Sequence, residues 1–162
     1  MESTTDTLSY LLQHTSTIMQ RQADQVLQER LGVGMAQYKI LSTLQERPNV
    51  QQRFLADSLG QTEASISRQV KLLVEKGMLA VQINPKNRRQ HVMVLTPKGV
   101  KVAQAAHNIL TDYHHPAFER LSEKEKQHLG TILNAMHQHY CQEGKPYSCD
   151  LPWFSQFGQE VV

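Results

Sequence analysis

The chain has very little cysteine: Cys141 and Cys149 are the only two in 162 residues, both near the C-terminus. Two thiols cannot make a disulfide framework, so the fold must rest on an apolar core. Two free reduced thiols are the simpler expectation; a disulfide between them, within or between subunits, is the other reading. Long apolar runs are missing too. Nothing approaches the ~18 residues that a membrane helix needs. Residues 1–8 are polar and lack the charged start and apolar stretch of a signal peptide. These absences lead to the expectation of a cytoplasmic protein with no membrane partner.

Catalytic signatures are also absent. There is no glycine-rich phosphate loop, no paired-carboxylate constellation and no nucleophile elbow. Cys141 falls one helical turn after His137, a pairing that chance provides in a histidine-rich helix. Neither catalysis nor a cofactor is expected. Eight histidines raise a metal reading. Yet His107, His114, His115, His128, His137 and His139 include no His-x3-His pair, and no Cys-x2-Cys accompanies them. No metal site is expected.

What is there is enough apolar material, 40% of residues, to build a core. The net charge is only +2, but it is unevenly spread. Between Arg68 and Lys101 stand eight basic residues (Arg68, Lys71, Lys76, Lys86, Arg88, Arg89, Lys98 and Lys101) against one acid, Glu75, a surplus of +7 that leaves −5 for the rest. Such a block is the footprint of a polyanion partner, although a solvated basic face would look the same.

Hydrophobic spacing predicts a long helix over residues 5–29, with Leu8, Leu11, Leu12, Ile18, Met19, Val26 and Leu27 in its stripe. Gly32 and Gly34 end it. Further helices are expected over 35–45, 51–59 and 62–76, the last with Thr62 as N-cap. The period then changes to that of strands over 78–83 and 90–95, a hairpin whose basic polar link spans 84–89. Thr96-Pro97 opens a helix that should stop at Pro116. Ser122 and Glu125 form a capping box for a last helix to about 142.

The run from Phe54 to Val70 has the form of a helix-turn-helix. Ala56 is small enough for close helix approach, Gly60 supplies the turn, and Ile66 and Val70 pin the second helix. Its opposite face carries Ala64, Arg68, Lys71 and Glu75, flanked by Ser65, Ser67 and Leu72. Arginine can bond a guanine edge bidentately, serine can bond bases or phosphate, and alanine can touch a thymine methyl. The expected DNA contacts are therefore Gln61, Thr62, Ala64, Ser65, Ser67, Arg68 and Lys71. Lys86, Arg88 and Arg89 at the hairpin tip would reach an adjacent minor groove. The outer helices carry apolar stripes that a winged helix cannot cover, so a dimer is expected. A winged helix that binds only protein is the competing reading.

Several stretches together resemble the MarR family of bacterial transcription regulators. They are Leu55-Ala56 with Leu59-Gly60, Ser65-Ile66-Ser67-Arg68, Leu73-Val74-Glu75-Lys76-Gly77-Met78-Leu79, Asn84-Pro85-Lys86-Asn87-Arg88-Arg89, Leu95-Thr96-Pro97-Lys98-Gly99 and Leu121-Ser122-Glu123-Lys124-Glu125. The resemblance runs over residues 8–142. It implies a mainly α fold with a small β-hairpin wing: an N-terminal dimerisation helix (1–32), a winged helix-turn-helix (33–96) and C-terminal dimerisation helices (97–143). Outside the resemblance, residues 144–162 form a tail whose aromatics, Trp153, Phe154 and Phe157, lead to the expectation that it packs against the rest. The resemblance implies an obligate homodimer on a palindromic double-stranded operator, acting as a repressor and released by a small, often aromatic, effector. The effector pocket implied at the lobe junction would draw on His14, Ile18, Met19, Tyr38 and Tyr113. A redox- or metal-responsive regulator of the same fold is the alternative. One departure stands out. The family usually has aspartate where this chain has Asn87, a residue thought to orient the arginine two positions on, here Arg89.

Overall fold

The structure, a computed structural model, describes residues 3–84 and 86–140. Cys141, Cys149 and the aromatic tail 144–162 lie outside the described residues. Helix α1 (Thr4–Leu31) starts at a capping box. The Ser3 hydroxyl accepts the Asp6 amide at 3.2 Å, and the Asp6 carboxylate accepts the Ser3 amide at 3.3 Å. It ends where Gly32 turns left-handed at φ 65°, a conformation that favours glycine. Helix α2 (Met35–Glu46) has glycine as its N-cap and borrows a cap from α1: the Met35 amide donates to Asp24 Oδ1 at 2.6 Å. Gly34 permits this approach, since a Cβ there would stand 2.8 Å from both Asp24 Oδ1 and Gln28 Nε2.

Helices α3 (Gln52–Leu59) and α4 (Glu63–Glu75) meet across Gly60, left-handed at φ 60°. Strands β1 (Leu79–Asn84) and β2 (Asn87–Leu95) pair antiparallel, and Met93 also bridges to Val50. Helix α5 (Pro97–Phe118) starts with Thr96 capping the Gly99 amide at 3.1 Å. It does not stop at Pro116, as the sequence suggested. The Glu119 amide still bonds the His115 carbonyl at 2.9 Å, so the last turn closes with the proline inside it. Helix α6 (Glu123–Tyr140) follows the expected capping box, with Ser122 and Glu125 bonded reciprocally. The architecture is mainly helical, with one two-stranded wing.

Two apolar clusters organise these elements. The larger joins α2, α3, α4, the wing root and α5, with Ile40, Leu41, Leu55, Ile66 and Leu73 fully buried. The smaller joins the C-terminal half of α1 to α5 through Ala23, Leu27, Ala106 and Leu110. Helix α5 contributes Ala103 to one and Ala106 to the other, so it ties the winged lobe to the long helix. Helix α6 has no buried residue.

Candidate nucleic-acid interface

Helix α4 turns Ile66, Val70 and Leu73 into the core, which fixes what it shows outward. Ala64, Ser67, Arg68 and Lys71 are exposed, as their helical phase predicts. Arg68 has no ion-pair partner among the described residues. Lys71 lies 4.0 Å from Glu75 in a solvent-exposed pair that contributes little and exchanges readily for a phosphate. Three other sequence candidates have internal duties. The Thr62 hydroxyl accepts the Ser65 amide at 3.2 Å as the N-cap. The Ser65 hydroxyl donates to Gln61 Oε1 at 3.1 Å, and both residues are half-buried. Gln61, Thr62 and Ser65 thus shape the start of α4, while Ala64, Ser67, Arg68 and Lys71 stand open to a ligand.

The wing differs from the sequence expectation. Strand β2 begins at Asn87, so Arg88 and Arg89 belong to the strand and only Lys86 remains with the turn. The ladder is irregular there: Ile83 pairs with His91, but Asn84 pairs with Asn87. Residues 88–90 therefore bulge out of register, and all three basic side chains are exposed. Asn87 Oδ1 accepts the backbone amide of Arg89 at 3.2 Å. The asparagine thus braces the Arg89 main chain through an Asx turn, just as Asn84 Oδ1 braces the Lys86 amide at 2.9 Å. The net result is a polar, cationic wing tip on the hairpin that follows α4 in the chain.

Residues 33–91 match the MarR family model. This segment is a MarR-family winged helix. The chain is 25% identical over 108 residues to the HTH-type transcriptional regulator BilQ of Clostridium symbiosum, covering 67% of this chain and 75% of that one. It is 26% identical over 114 residues to a putative transcriptional regulatory protein for the hcr operon of Thauera aromatica, covering 70% and 67%. Its fold resembles that of S. aureus MepR in a DNA complex, with a TM-score of 0.71, 24% identity, and coverage of 82% and 97%. The first two of these relatives are described as transcriptional regulators, and the family match lies on the winged-helix segment.

Two cavities lie next to helix α2. One, of about 680 Å³, sits between α2, α3 and α5 and is lined in part by Tyr38, Ser42, Leu59, Ala103 and His107. Burial pushes the Tyr38 hydroxyl above its ordinary value, against a smaller opposing effect of its hydrogen bond with Ser42. The other, of about 800 Å³, lies between α1 and the start of α2 and includes Ile18, Arg21, Met35 and Lys39. The five sequence candidates for a ligand site do not converge. Ile18 lines the second cavity and Tyr38 the first. The Tyr113 hydroxyl donates to Gln22 Oε1 on α1 at 3.1 Å. His14 stacks on Tyr10, ring centroids 5.5 Å apart, on an exposed stretch of α1, and neither it nor Met19 lines these cavities. Among the described residues, no group of three His, Cys, Asp or Glu side chains could hold a metal ion, and no helix is long and apolar enough to cross a membrane.

The sequence reading missed two features. Asp24 caps α2 from a neighbouring helix. Lys76 and Lys98, counted in the basic block, are turned onto backbone carbonyls: Lys76 Nζ onto Gly32 O at 2.6 Å and Lys98 Nζ onto Lys76 O at 2.7 Å. The cationic face offered to a polyanion is therefore smaller than the charge count implied.

Proposed function

We propose that this regulator is a cytoplasmic homodimer that represses by binding a palindromic duplex operator and lets go when a small aromatic effector enters the lobe junction. The open face of α4 carries the DNA reading: between Ala64 and Lys71 stands Arg68, with no ion-pair partner among the described residues, and the wing adds Lys86, Arg88 and Arg89. Arg68 serves as the base-reading side chain in the major groove, and Lys71 and the wing cations serve as phosphate or minor-groove contacts. The DNA complex of the structurally similar MepR agrees with this use of the fold. Dimerisation is supported by uncovered apolar residues on α1 (Leu8, Leu11, Leu12, Ile18) and α6 (Ile132, Leu133, Met136, Tyr140).

The effector reading draws on the 680 Å³ cavity, whose apolar walls and Tyr38 hydroxyl suit a small planar molecule. An occupant there separates α2 from α5 and so alters how the winged lobe sits on the dimerising helices. It weakens DNA binding only to the extent that it prefers the altered spacing, and a coupling of ~1–3 kcal/mol suffices.

The test begins with duplexes selected from a random pool by the purified protein. Arg68→Ala should lower affinity for the selected duplex by ~1–3 kcal/mol, with far less effect on unrelated DNA. Phenolic compounds should then lower the wild-type affinity, and Tyr38→Ala should abolish that shift. An unchanged affinity in Arg68→Ala would remove the base-reading role. A shift that survives Tyr38→Ala would remove the cavity assignment.

A further inference from the structure

The exit of α4 is fastened on two sides. Toward α1 and α2, Lys76 Nζ donates to the Gly32 carbonyl at 2.6 Å and to Gln37 Oε1 at 3.1 Å. Gln37 is a polar side chain only 5% exposed, so this bond satisfies an amide that water barely reaches. Toward α5, Lys98 Nζ donates to the Lys76 carbonyl and the Thr96 hydroxyl donates to the Gly77 carbonyl, both at 2.7 Å. Gly99 keeps that junction tight, since a Cβ there would lie 2.0 Å from Met78 O. The backbone amides of Lys76, Gly77 and Met78 close on the carbonyls of Leu72, Val74 and Leu73, and the next two carbonyls, of Lys76 and Gly77, are taken up by lysine and threonine donors at the start of α5.

We propose that Lys76 is a positioning residue for DNA reading: it joins the recognition helix to the α1–α2 corner and sets the direction in which Arg68 points, without touching DNA itself. The inference rests on α4 being the helix that contacts DNA. Arg68 lies eight residues before Lys76, about 12 Å along the helix. A tilt of about 5° at the exit carries Arg68 roughly 1 Å, enough to leave the narrow distance window of a base-edge hydrogen bond. Phosphate contacts made through long flexible side chains tolerate the same shift, so loss of the Lys76 bonds should fall on sequence reading rather than on general DNA affinity. The α1–α2 corner is also the corner that Asp24 fastens through the Met35 amide, so a movement of α1 reaches α4 through two charged hydrogen bonds in series.

The experiment measures affinity for a duplex selected by the wild-type protein, affinity for random-sequence DNA, and the salt dependence of both. Lys76→Met keeps the aliphatic stem and removes the donors; Gln37→Met removes the buried acceptor at similar volume and changes no charge. Thermal melting identifies any variant that has simply lost its fold. Lys76→Met should bind the selected duplex about tenfold more weakly, with random DNA within about twofold and the salt slope unchanged. Gln37→Met should move affinity in the same direction by less. A Lys76→Met variant whose salt slope falls by about one ion, with both affinities reduced alike, makes Lys76 a phosphate contact and overturns the proposal. So does a Gln37→Met variant that binds as the wild type while Lys76→Met does not. If Arg68→Ala leaves binding of the selected duplex unchanged, the α4 reading fails and this proposal with it. If only Arg68→Ala has an effect, the proposal fails alone.

Discussion

The winged lobe and the outer helices use apolar residues in opposite ways. In the lobe, Leu55, Ile66 and Leu73 are fully buried in a cluster that draws on six successive elements, α2 through α5. In α6 nothing is buried, and Ile132 is 58% exposed. Helix α1 contains the contrast within itself, with Ala23 and Leu27 sealed against α5 while Leu8 and Leu11 stand 60% and 56% exposed. The lobe thus carries its own hydrophobic driving force. The outer segments have local helix-forming devices and a stripe that only another surface can cover.

The sharpest way to break this comparison is to truncate one apolar residue on each side. Ile66→Ala should cost about 2–5 kcal/mol of unfolding free energy at any protein concentration, because it opens a cavity in a sealed core. Ile132→Ala should have a far smaller effect in dilute solution. Chemical denaturation of both variants across a range of concentrations checks this. If the α6 change were as damaging as the core change in dilute protein, the outer helices would not be waiting for a partner. Conversely, Ile132→Asp should turn a dimer into a monomer in sedimentation at micromolar concentration while leaving the near-native circular dichroism of the lobe in place. A wild-type monomer at that concentration would overturn the dimer reading directly.

A smaller effect separates the wing from the recognition helix. Neutralising Arg88 and Arg89 together should reduce the salt slope of binding by about one to two ions per subunit, since exposed cations on a bulged strand act through counterion release. Sequence preference should persist, because it resides in α4. A double variant with the parental salt slope would show that the wing stays off the DNA.

Most of the fold was legible in the sequence because its signals are local. The apolar stripe of α4, the glycine at position 60 and the Thr62 cap each act within one or two turns, and the structure has them where the pattern put them. The start of β2 was not legible. Residues 87–90 are polar and turn-forming, so nothing in them alternates, and they are held by the Asn84–Asn87 pairing and two Asx contacts. Lys76 and Lys98 were read as surface charge because their acceptors lie 44 and 22 residues away, distances at which no periodicity speaks. Pro116 misled for a different reason: a proline near a helix end removes one donor but does not prevent the last carbonyls from closing a turn. The five residues expected at one ligand site were grouped from a resemblance; Ile18 and Tyr38 line different cavities, and His14, Met19 and Tyr113 line neither.

The least of the expected effects concerns how α6 holds its helix without burial. Glu125 accepts hydrogen bonds from the Ser122 hydroxyl at 2.7 Å and from the Ser122 amide at 2.8 Å. These bonds hold its carboxyl below the usual carboxylate value, the hydroxyl contributing more than the amide. A group whose folded value is lowered stabilises the fold above its unfolded value and loses that contribution as pH falls through the folded one. Acidification through and below the ordinary glutamate range should therefore loosen the first turn of α6. Helix α4 starts instead at the neutral Thr62 cap, so its first turn should keep its amide protection over that interval. Hydrogen exchange of the two helices, corrected for the intrinsic pH dependence of exchange, checks the contrast. Glu125→Gln should flatten the acid response of α6 and leave α4 unchanged. Equal loosening of both helices would mean that acid acts on the whole fold, and that α6 draws its order from packing rather than from its cap.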